Sequence, residues 1–398
     1  MSKIAIVHDW FTRIAGSEKV VKEIKHCFPN ADVFSLVDHL SDNERESLGI
    51  DAPIRTSFIN RLPIQSKFRH YLPLMPIAIE QLDLREYDLV FSSSHAVAKG
   101  CLTTSEQLHI SYVHTPMRYA WDMYHEYLEQ KRMGWGLGSV FARSVLHYLR
   151  NWDRATADRP DFYIANSKYV RERIRKTYRR DSTVIYPPVD VNSMPFSMQK
   201  QDYFLAAGRL VPYKRFDLIV DAMKELPNEK LVLIGDGPEM SKIQSLAGPN
   251  VEVLGYQNDE VLREHMKNAK AFVFAAVEDF GIMPVEAQAC GTPVIGLNRG
   301  GVAETVIPMQ TGVLFSEQTS ESIVEAIRVF LELPSSVLDS DVIRAHTQKF
   351  CQNSFRNNLL RFVESAVHSR GGNIEEIDQG WGSPECLSAT NEPANFCQ

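Results

Sequence analysis

Two cations, Arg209 and Lys214, stand five residues apart in Gly208-Arg209-Leu210-Val211-Pro212-Tyr213-Lys214-Arg215. An Arg offers a planar fork of donors and a Lys a point charge, a pair suited to a diphosphate. Surface loops carry such cations without a ligand as well, so this stretch alone leaves both readings open. Two carboxylates stand eight apart in Glu278-Asp279-Phe280-Gly281-Ile282-Met283-Pro284-Val285-Glu286. Phosphates do not call for carboxylates, whereas the hydroxyls of a sugar or ribose do. The alternative is a solvated Glu at a strand end and a first-turn Glu favoured by the helix dipole. Gly281 leaves room for close backbone approach, and a helix start there favours an anion through its free N–H groups. His114, in Val113-His114-Thr115-Pro116, closes a strand. A His beside a Pro is more often structural, but this one falls on the same expected rim as Gly16 and Ser167.

These residues need a scaffold of strands and helices. Ala271-Phe272-Val273-Phe274-Ala275-Ala276 predicts a buried parallel strand, and Glu286-Ala287-Gln288-Ala289-Cys290 predicts the helix after it, with Pro284 tolerated in its first turn. Near the N-terminus, residues 3–9 read as a strand. Ala15-Gly16-Ser17-Glu18 then makes a turn with Ser17 as N-cap, and Val20, Val21, Ile24 and Phe28 mark an amphipathic helix. No G-x-G-x-x-G follows that strand, which weakens a dinucleotide reading. Further strands are expected at 32–36, 89–92, 109–113 and 162–165. A second series is expected at 203–207, 231–234, 251–254, 293–296 and 313–315, with late helices at 320–331 and 353–368. Alternating β and α units imply parallel sheets whose ligand face lies at the strands' C-terminal ends. The fold class is therefore α/β, with two successive Rossmann-like domains. The first spans 1–186, a proline-bearing linker 187–201, the second 202–352, and a tail at 370–398 is expected to be disordered.

The 398 residues carry a net charge of −7, unevenly spread. Residues 1–200 hold 27 Lys and Arg against 23 Asp and Glu, and residues 201–398 hold 16 against 27. Duplex nucleic acid is a poor partner for that balance, while the first half is free to meet an anionic surface, or simply has uneven solvated faces. Residues 55–76 and 131–150 mix basic side chains with aromatics and aliphatics. Such amphipathic stretches suit an anionic membrane surface or a lipid-borne substrate, and equally a helix packed on its own domain. The basic run Arg171, Arg173, Arg175, Lys176, Arg179 and Arg180 reads as a solvated helix face. Six cysteines show no metal spacing and read as reduced thiols, with neither a signal peptide nor a membrane span expected.

Gly208-x4-Tyr213-Lys214-Arg215, Gly235-Asp236-Gly237-Pro238, Glu278-x7-Glu286 and Gly300-Gly301-x2-Glu304 lie in order in one half of the chain. In joint order and spacing they resemble the family-4 retaining glycosyltransferases of GT-B fold, over about residues 3–368. The resemblance implies two facing Rossmann-like domains and a last helix, 353–368, that crosses back to the first. It implies that Arg209 and Lys214 hold the donor diphosphate, with Gly208 beside them, that Glu286 binds the ribose, and that Glu278 binds the transferred hexose. Backbone amides of Phe280, Gly281 and Ile282 would contact sugar and phosphate, and Tyr256 would border the base. His114 would approach the transferred sugar, and Gly16 the phosphates and acceptor. The family's usual first loop has two adjacent glycines before Ala-Glu, where this chain has Ala15-Gly16-Ser17-Glu18.

His8-Asp9-Trp10 and His114-Thr115-Pro116-Met117-Arg118-Tyr119-Ala120-Trp121-Asp122 are similar to a subgroup of mannosyltransferases that build bacterial O-antigen and exopolysaccharide repeats. That likeness implies GDP-mannose as donor and an undecaprenyl-diphosphate-linked glycan as acceptor. The expected enzyme needs no cofactor and no metal, since no Asp-x-Asp motif stands in a strand context. It works in the cytoplasm, peripherally at the inner membrane's cytoplasmic face. Retention would follow from front-face attack or from a covalent intermediate. The rival readings are a sugar-nucleotide epimerase of the same shape and a non-catalytic sugar-nucleotide-binding subunit.

Overall fold

Strand-forming runs in this chain alternate with helices, so the sheets must be parallel and covered on both faces. The computed structural model describes residues 3–63, 65–130, 136–334 and 336–371. Lys131, Arg132 and Trp135, and the tail from 372 on, lie outside the described residues. The first sheet holds β1 (Ile4–His8), β2 (Asp32–Ser35), β3 (Arg55–Thr56), β4 (Leu89–Ser94), β5 (Leu108–Val113), β6 (Phe162–Ala165) and β7 (Thr183–Val184), in spatial order 3-2-1-4-5-6-7. The second holds β8 (Gln201–Ala207), β9 (Leu231–Ile234), β10 (Val251–Gly255), β11 (Ala269–Phe274), β12 (Val294–Leu297) and β13 (Gly312–Phe315), in order 10-9-8-11-12-13. Every pairing is parallel. These are the two Rossmann-like sheets of an α/β, GT-B-type fold. The short edge strands β3 and β7 carry too few residues to show a period, and the sequence reading missed them.

The described chain divides into two compact units, 3–166 with 170–188 and 353–371, and 167–169 with 189–352. In the first, β1 shows the period of two that a doubly covered sheet requires. Ile4 and Ile6 pack with Val20, Val21, Ile24 and Phe28 of the helix Gly16–Cys27. Ala5 and Val7 face the opposite layer, with Met75, Ile79, Leu146 and Leu149. The late helix Gln352–Ser369 adds Phe355, Leu359, Leu360 and Val363 to the first of these cores. Arg356 Nε of that helix donates to Glu23 Oε2 at 2.5 Å, a carboxylate 2% exposed. In the second unit Phe204, Ala206, Leu231, Leu233, Ala271 and Val273 form one face, covered by Ile219, Val220, Ile323 and Ile327.

The stretch 55–76 and the basic run from Arg171 differ from expectation. Residues 55–76 are not one amphipathic helix: 3₁₀ turns at Phe58–Arg61 and Gln65–Leu74 lead into a short helix Met75–Glu80. Pro63 and Pro73 interrupt the stretch, and Ile59, Phe68 and Met75 are core residues. In the helix Leu137–Ala155, Leu146 and Leu149 are buried, while Val140, Phe141 and Tyr148 are exposed. Arg173, taken with its neighbours as a solvated cation, is buried. It pairs with Asp122 and donates to Thr115 Oγ1 at 2.6 Å.

Leu359 is fully buried in the first unit's core. Leu359→Ala should cost about 2–5 kcal/mol by lost transfer and cavity terms. Urea unfolding followed by tryptophan fluorescence reads this, and a change below about 1 kcal/mol would mean that this face does not anchor the helix.

Candidate active site

The C-terminal ends of β8, β9, β11 and β12 each open into a glycine-bearing loop, and these loops touch backbone to backbone. Gly235, at φ +152°, lies so close to the Gly208 carbonyl that a Cβ there would overlap it. Gly237, at φ +156°, meets the Leu210 carbonyl in the same way. Gly208 N donates to Ile234 O at 3.0 Å and Leu210 N to Asp236 O at 2.9 Å. On the other side, a Cβ at Gly300 would sit 2.5 Å from Glu278 O, and Gly301 N donates to that same carbonyl at 2.9 Å. The four motifs of the second half therefore lock through main chain in two pairs, 208–210 with 235–237 and 278–280 with 300–301, and the side chains of Lys214 and Glu278 link one pair to the other.

At the centre Lys214 Nζ lies 3.0 Å from Glu278 Oε1, both side chains largely covered at 11% and 20% exposure. The ammonium folds back over the β8 end, since a Cβ on Gly208 would stand 3.1 Å from it. Arg209 is exposed and has no ion-pair partner among the described residues. The next residue, Arg215, adopts φ +54° and pairs with Asp217 at 3.2 Å, so it is engaged elsewhere. The helix Ile282–Ala289 begins after Gly281, at φ +83°, and carries Glu286, half-buried. Phe280 packs edge-on against Phe350. Tyr256, just past β10, is 77% exposed and presents an open aromatic face at that strand's end. The unit thus offers one exposed and one covered cation, two carboxylates and an aromatic at one sheet rim.

The first unit holds a second polar cluster. β1, β4 and β5 run in register with His8 opposite Ser93 and Ser94 opposite Val113, so His8, Ser93 and His114 come to one rim. His114 Nε2 lies 2.8 Å from Ser93 Oγ, and burial holds its pKa well below the ordinary range, helped by His95 and His8. Asp9, fully buried, accepts four backbone N–H bonds, from His95, Ala96, Val97 and Ala98 at 2.6–2.9 Å. Glu18 opposes His8 Nε2 at 3.6 Å. Gly16 begins the first helix rather than the turn before it. Ser17 is not the N-cap: the cap is Ala15, whose N–H donates to Glu18 Oε2 at 3.0 Å, while Ser17 Oγ donates to the same oxygen at 2.9 Å. The carboxylate does the capping that the hydroxyl was expected to do. The sequence offers His8-Asp9-Trp10, Ala15-Gly16-Ser17-Glu18 and the polar strand end Ser92-Ser93-Ser94-His95 as separate stretches, because their linkage depends on strand register.

Burial would raise the Glu18 pKa, but His8 and the N–H and hydroxyl donors outweigh it and bring it from 4.5 down to about 2. A carboxyl depressed on folding stabilises above its unfolded pKa and loses that contribution as pH falls through the folded one. Between pH 6 and 3 Glu18 should therefore account for about 2 kcal/mol of lost stability. Urea midpoints across that range should fall less steeply in Glu18→Gln than in the wild type, and parallel slopes would show that the carboxylate is not held this way.

The family model described as Glycosyltransferase Family 4 matches residues 14–193, and that described as Glycosyl transferases group 1 matches residues 195–348. The chain is similar to an uncharacterized glycosyltransferase of Methanocaldococcus jannaschii, 31% identical over 172 residues, 42% of this chain and 48% of that protein. It is also similar to the GDP-mannose-dependent alpha-(1-6)-phosphatidylinositol monomannoside mannosyltransferase of Mycolicibacterium smegmatis, 27% identical over 248 residues, 54% of this chain and 62% of that one. The chain thus spans about half the length of the first of these relatives and less than two thirds of the second. Among solved structures, Anabaena HepE in complex with UDP and glucose superposes with a TM-score of 0.67 at 19% identity, covering 92% of this chain and all of that one.

Proposed function

We propose that this chain, which belongs to the glycosyltransferases over both matched halves, moves a hexose from a nucleoside-diphosphate sugar to a lipid-borne glycan with retained configuration. The observation that carries the reading is the Lys214–Glu278 pair at the interlocked strand ends, with Arg209 unpaired beside it. Arg209 and Lys214 take the donor diphosphate, and the N–H groups of the helix that starts at Gly281 add to that field. Glu286 takes the ribose hydroxyls and Glu278 those of the hexose, while Tyr256 flanks the base and His114 meets the transferred sugar. Gly16 is assigned to the loop nearest phosphate and acceptor.

In the reaction the acceptor hydroxyl oxygen bonds to the anomeric carbon, and the bond from that carbon to the diphosphate oxygen breaks. The electron pair leaves with the diphosphate, whose oxygen takes the hydroxyl proton on the same face. Charge growing on the leaving group is met by two side-chain cations and helix amides, a field built before the reaction starts. We assign that task to these groups rather than to a divalent cation. The GDP-mannose donor rests on the mannosyltransferase relative and on the His8-Asp9-Trp10 and His114–Asp122 stretches. The undecaprenyl-linked acceptor and a role in surface polysaccharide assembly rest on those stretches alone.

Incubation of the full chain with labelled GDP-mannose, lipid-linked acceptor and membranes should carry label into lipid. Lys214→Ala and Arg209→Ala should each lower transfer by about tenfold to a hundredfold or more, since each removes a charge-assisted contact worth roughly 1.5–3 kcal/mol. Glu286→Ala should weaken GDP binding in calorimetry, whereas Glu278→Ala should weaken only the sugar-bearing donor. Wild-type transfer by either cation variant would remove the diphosphate site.

Among the described residues no helix is long and apolar enough to cross a membrane. We assign the lipid-facing surface to Val140, Phe141 and Tyr148, which are 57%, 67% and 41% exposed on the helix Leu137–Ala155, with exposed Arg61, Lys67 and Arg69 as its cations. Vesicles containing phosphatidylglycerol should sediment the protein at low salt and release it at high salt, and Phe141→Asp should abolish sedimentation. Binding that ignores both salt and this substitution would exclude the surface.

A further inference from the structure

Three strands of the first sheet deliver a continuous polar chain to His114. Glu18 Oε1 stands 3.6 Å from His8 Nε2, and His8 Nδ1 lies 3.1 Å from Ser93 Oγ and 3.2 Å from the Ser93 carbonyl oxygen. Ser93 Oγ in turn lies 2.8 Å from His114 Nε2. His8 and Ser93 are fully buried and Glu18 is 4% exposed, so water does not stand in for a missing partner. His114 Nδ1 has no hydrogen-bond partner among the described residues.

The direction of each bond follows from what each atom can give. A carbonyl oxygen only accepts, so the nitrogen facing it, His8 Nδ1, carries a proton. Ser93 Oγ, the other oxygen beside that N–H, then receives rather than gives there. Its own proton has one acceptor left among the described residues, His114 Nε2. With Nε2 occupied as an acceptor, the neutral His114 ring keeps its proton on Nδ1. Glu18 sets the far end, its carboxylate standing 3.6 Å from His8 Nε2.

We propose that His8 and Ser93, backed by Glu18, are positioning residues that lock His114 as the Nδ1–H tautomer, so that His114 donates a hydrogen bond to an oxygen of the ligand and does not act as a base. This rests on the assignment of His114 to the transferred sugar made above. Burial of the ring, helped by His95 and His8 and only partly opposed by Glu18, keeps it uncharged at neutral pH, in keeping with a donor role. A front-face reaction leaves such a ring no proton to take, since the acceptor's proton goes to the leaving phosphate. Asp9 contributes indirectly. Its four amide bonds pin residues 95–98 directly after β4, and Oδ2 lies 3.2 Å from His95 Nδ1, the ring packed 6.2 Å from His114.

The test uses the full chain with ¹⁵N-labelled histidine, and His114→Asn to assign the signals. Long-range ¹H–¹⁵N correlation should show His114 with a protonated Nδ1 and a bare Nε2. Ser93→Ala should shift both nitrogens toward exchange-averaged values and lower kcat for transfer about tenfold, with donor KM within about twofold. Ser93→Thr, which keeps the hydroxyl, should restore both the tautomer and the rate. A His114 protonated on Nε2 in the wild type overturns the proposal, even if His114→Ala abolishes transfer and so upholds the sugar contact. An Nδ1–H tautomer together with full transfer by His114→Ala also overturns it, by removing the sugar contact while leaving the chain of bonds intact.

Discussion

Main chain lying directly on main chain is the constraint that organises the second half of this protein. Parallel strands send all their exit loops to one rim, where neighbouring loops must cross within a strand spacing of about 4.8 Å. No Cβ fits between Gly235 and the Gly208 carbonyl, or between Gly301 and the backbone of Phe280. The glycines therefore serve packing first. Because they let the loops close on one another, the carbonyl of Glu278 is tied to Gly301, and the Glu278 side chain can only emerge toward Lys214. A Cβ at any of these sites would separate the loops and move the cation and the carboxylate apart.

The first half meets the same topological demand with a different device. Asp9 leaves the end of β1 and gathers the four amides after β4, as a helix N-terminus gathers an anion, except that here the anion belongs to the protein. Four amide donors satisfy this buried carboxylate, and its Oδ2 also lies 3.2 Å from His95 Nδ1. Lys99, 1% exposed, is balanced separately. It pairs with Asp153 at 3.0 Å, and that carboxylate also accepts from Trp121 at 2.8 Å and Tyr178 at 3.1 Å. Ionised groups in this unit thus come with their partners built in, as burial requires.

How far this could be read from the chain depends on whether the signal was local. Apolar runs such as Ala271–Ala276 and the 3.6-residue spacing of Val20, Val21, Ile24 and Phe28 are local, and the strands and helices they imply are found where they should be. The four glycine-bearing motifs were legible because each is contiguous in the chain, a strand-end loop running at most into the helix that follows it. Ser93 was not, because its meaning lies in being opposite His8 across β1 and β4 and one strand from His114, a matter of register. Arg173 was misread for the same reason: a run of six cations along and just past one helix looks solvated until Asp122 and Thr115, far along the chain, claim one of them. Ser17 lost its expected cap to Glu18, whose longer side chain reaches back to the Ala15 amide and keeps an oxygen for His8.

The Lys214–Glu278 pair has a consequence for how a phosphorylated ligand would be handled on the proposed reading. An ammonium has three protons, so a phosphate oxygen can join Lys214 without displacing Glu278. Glu278 holds the ammonium at the β8 end, which limits the side-chain freedom that a lone lysine would lose on binding. A carboxylate is acceptor-only, so on that reading Glu278 can receive bonds from hydroxyls while it faces the ammonium. Arg209, exposed and without an ion-pair partner among the described residues, has no such anchor and on that reading would be ordered by the ligand itself. The two cations therefore divide the work: Lys214 supplies a preset charge, and Arg209 supplies a contact made only when a diphosphate is there to receive it. On that reading the prepared part of the field lies next to the carboxylate assigned to the sugar, where charge would separate as the bond to the diphosphate breaks.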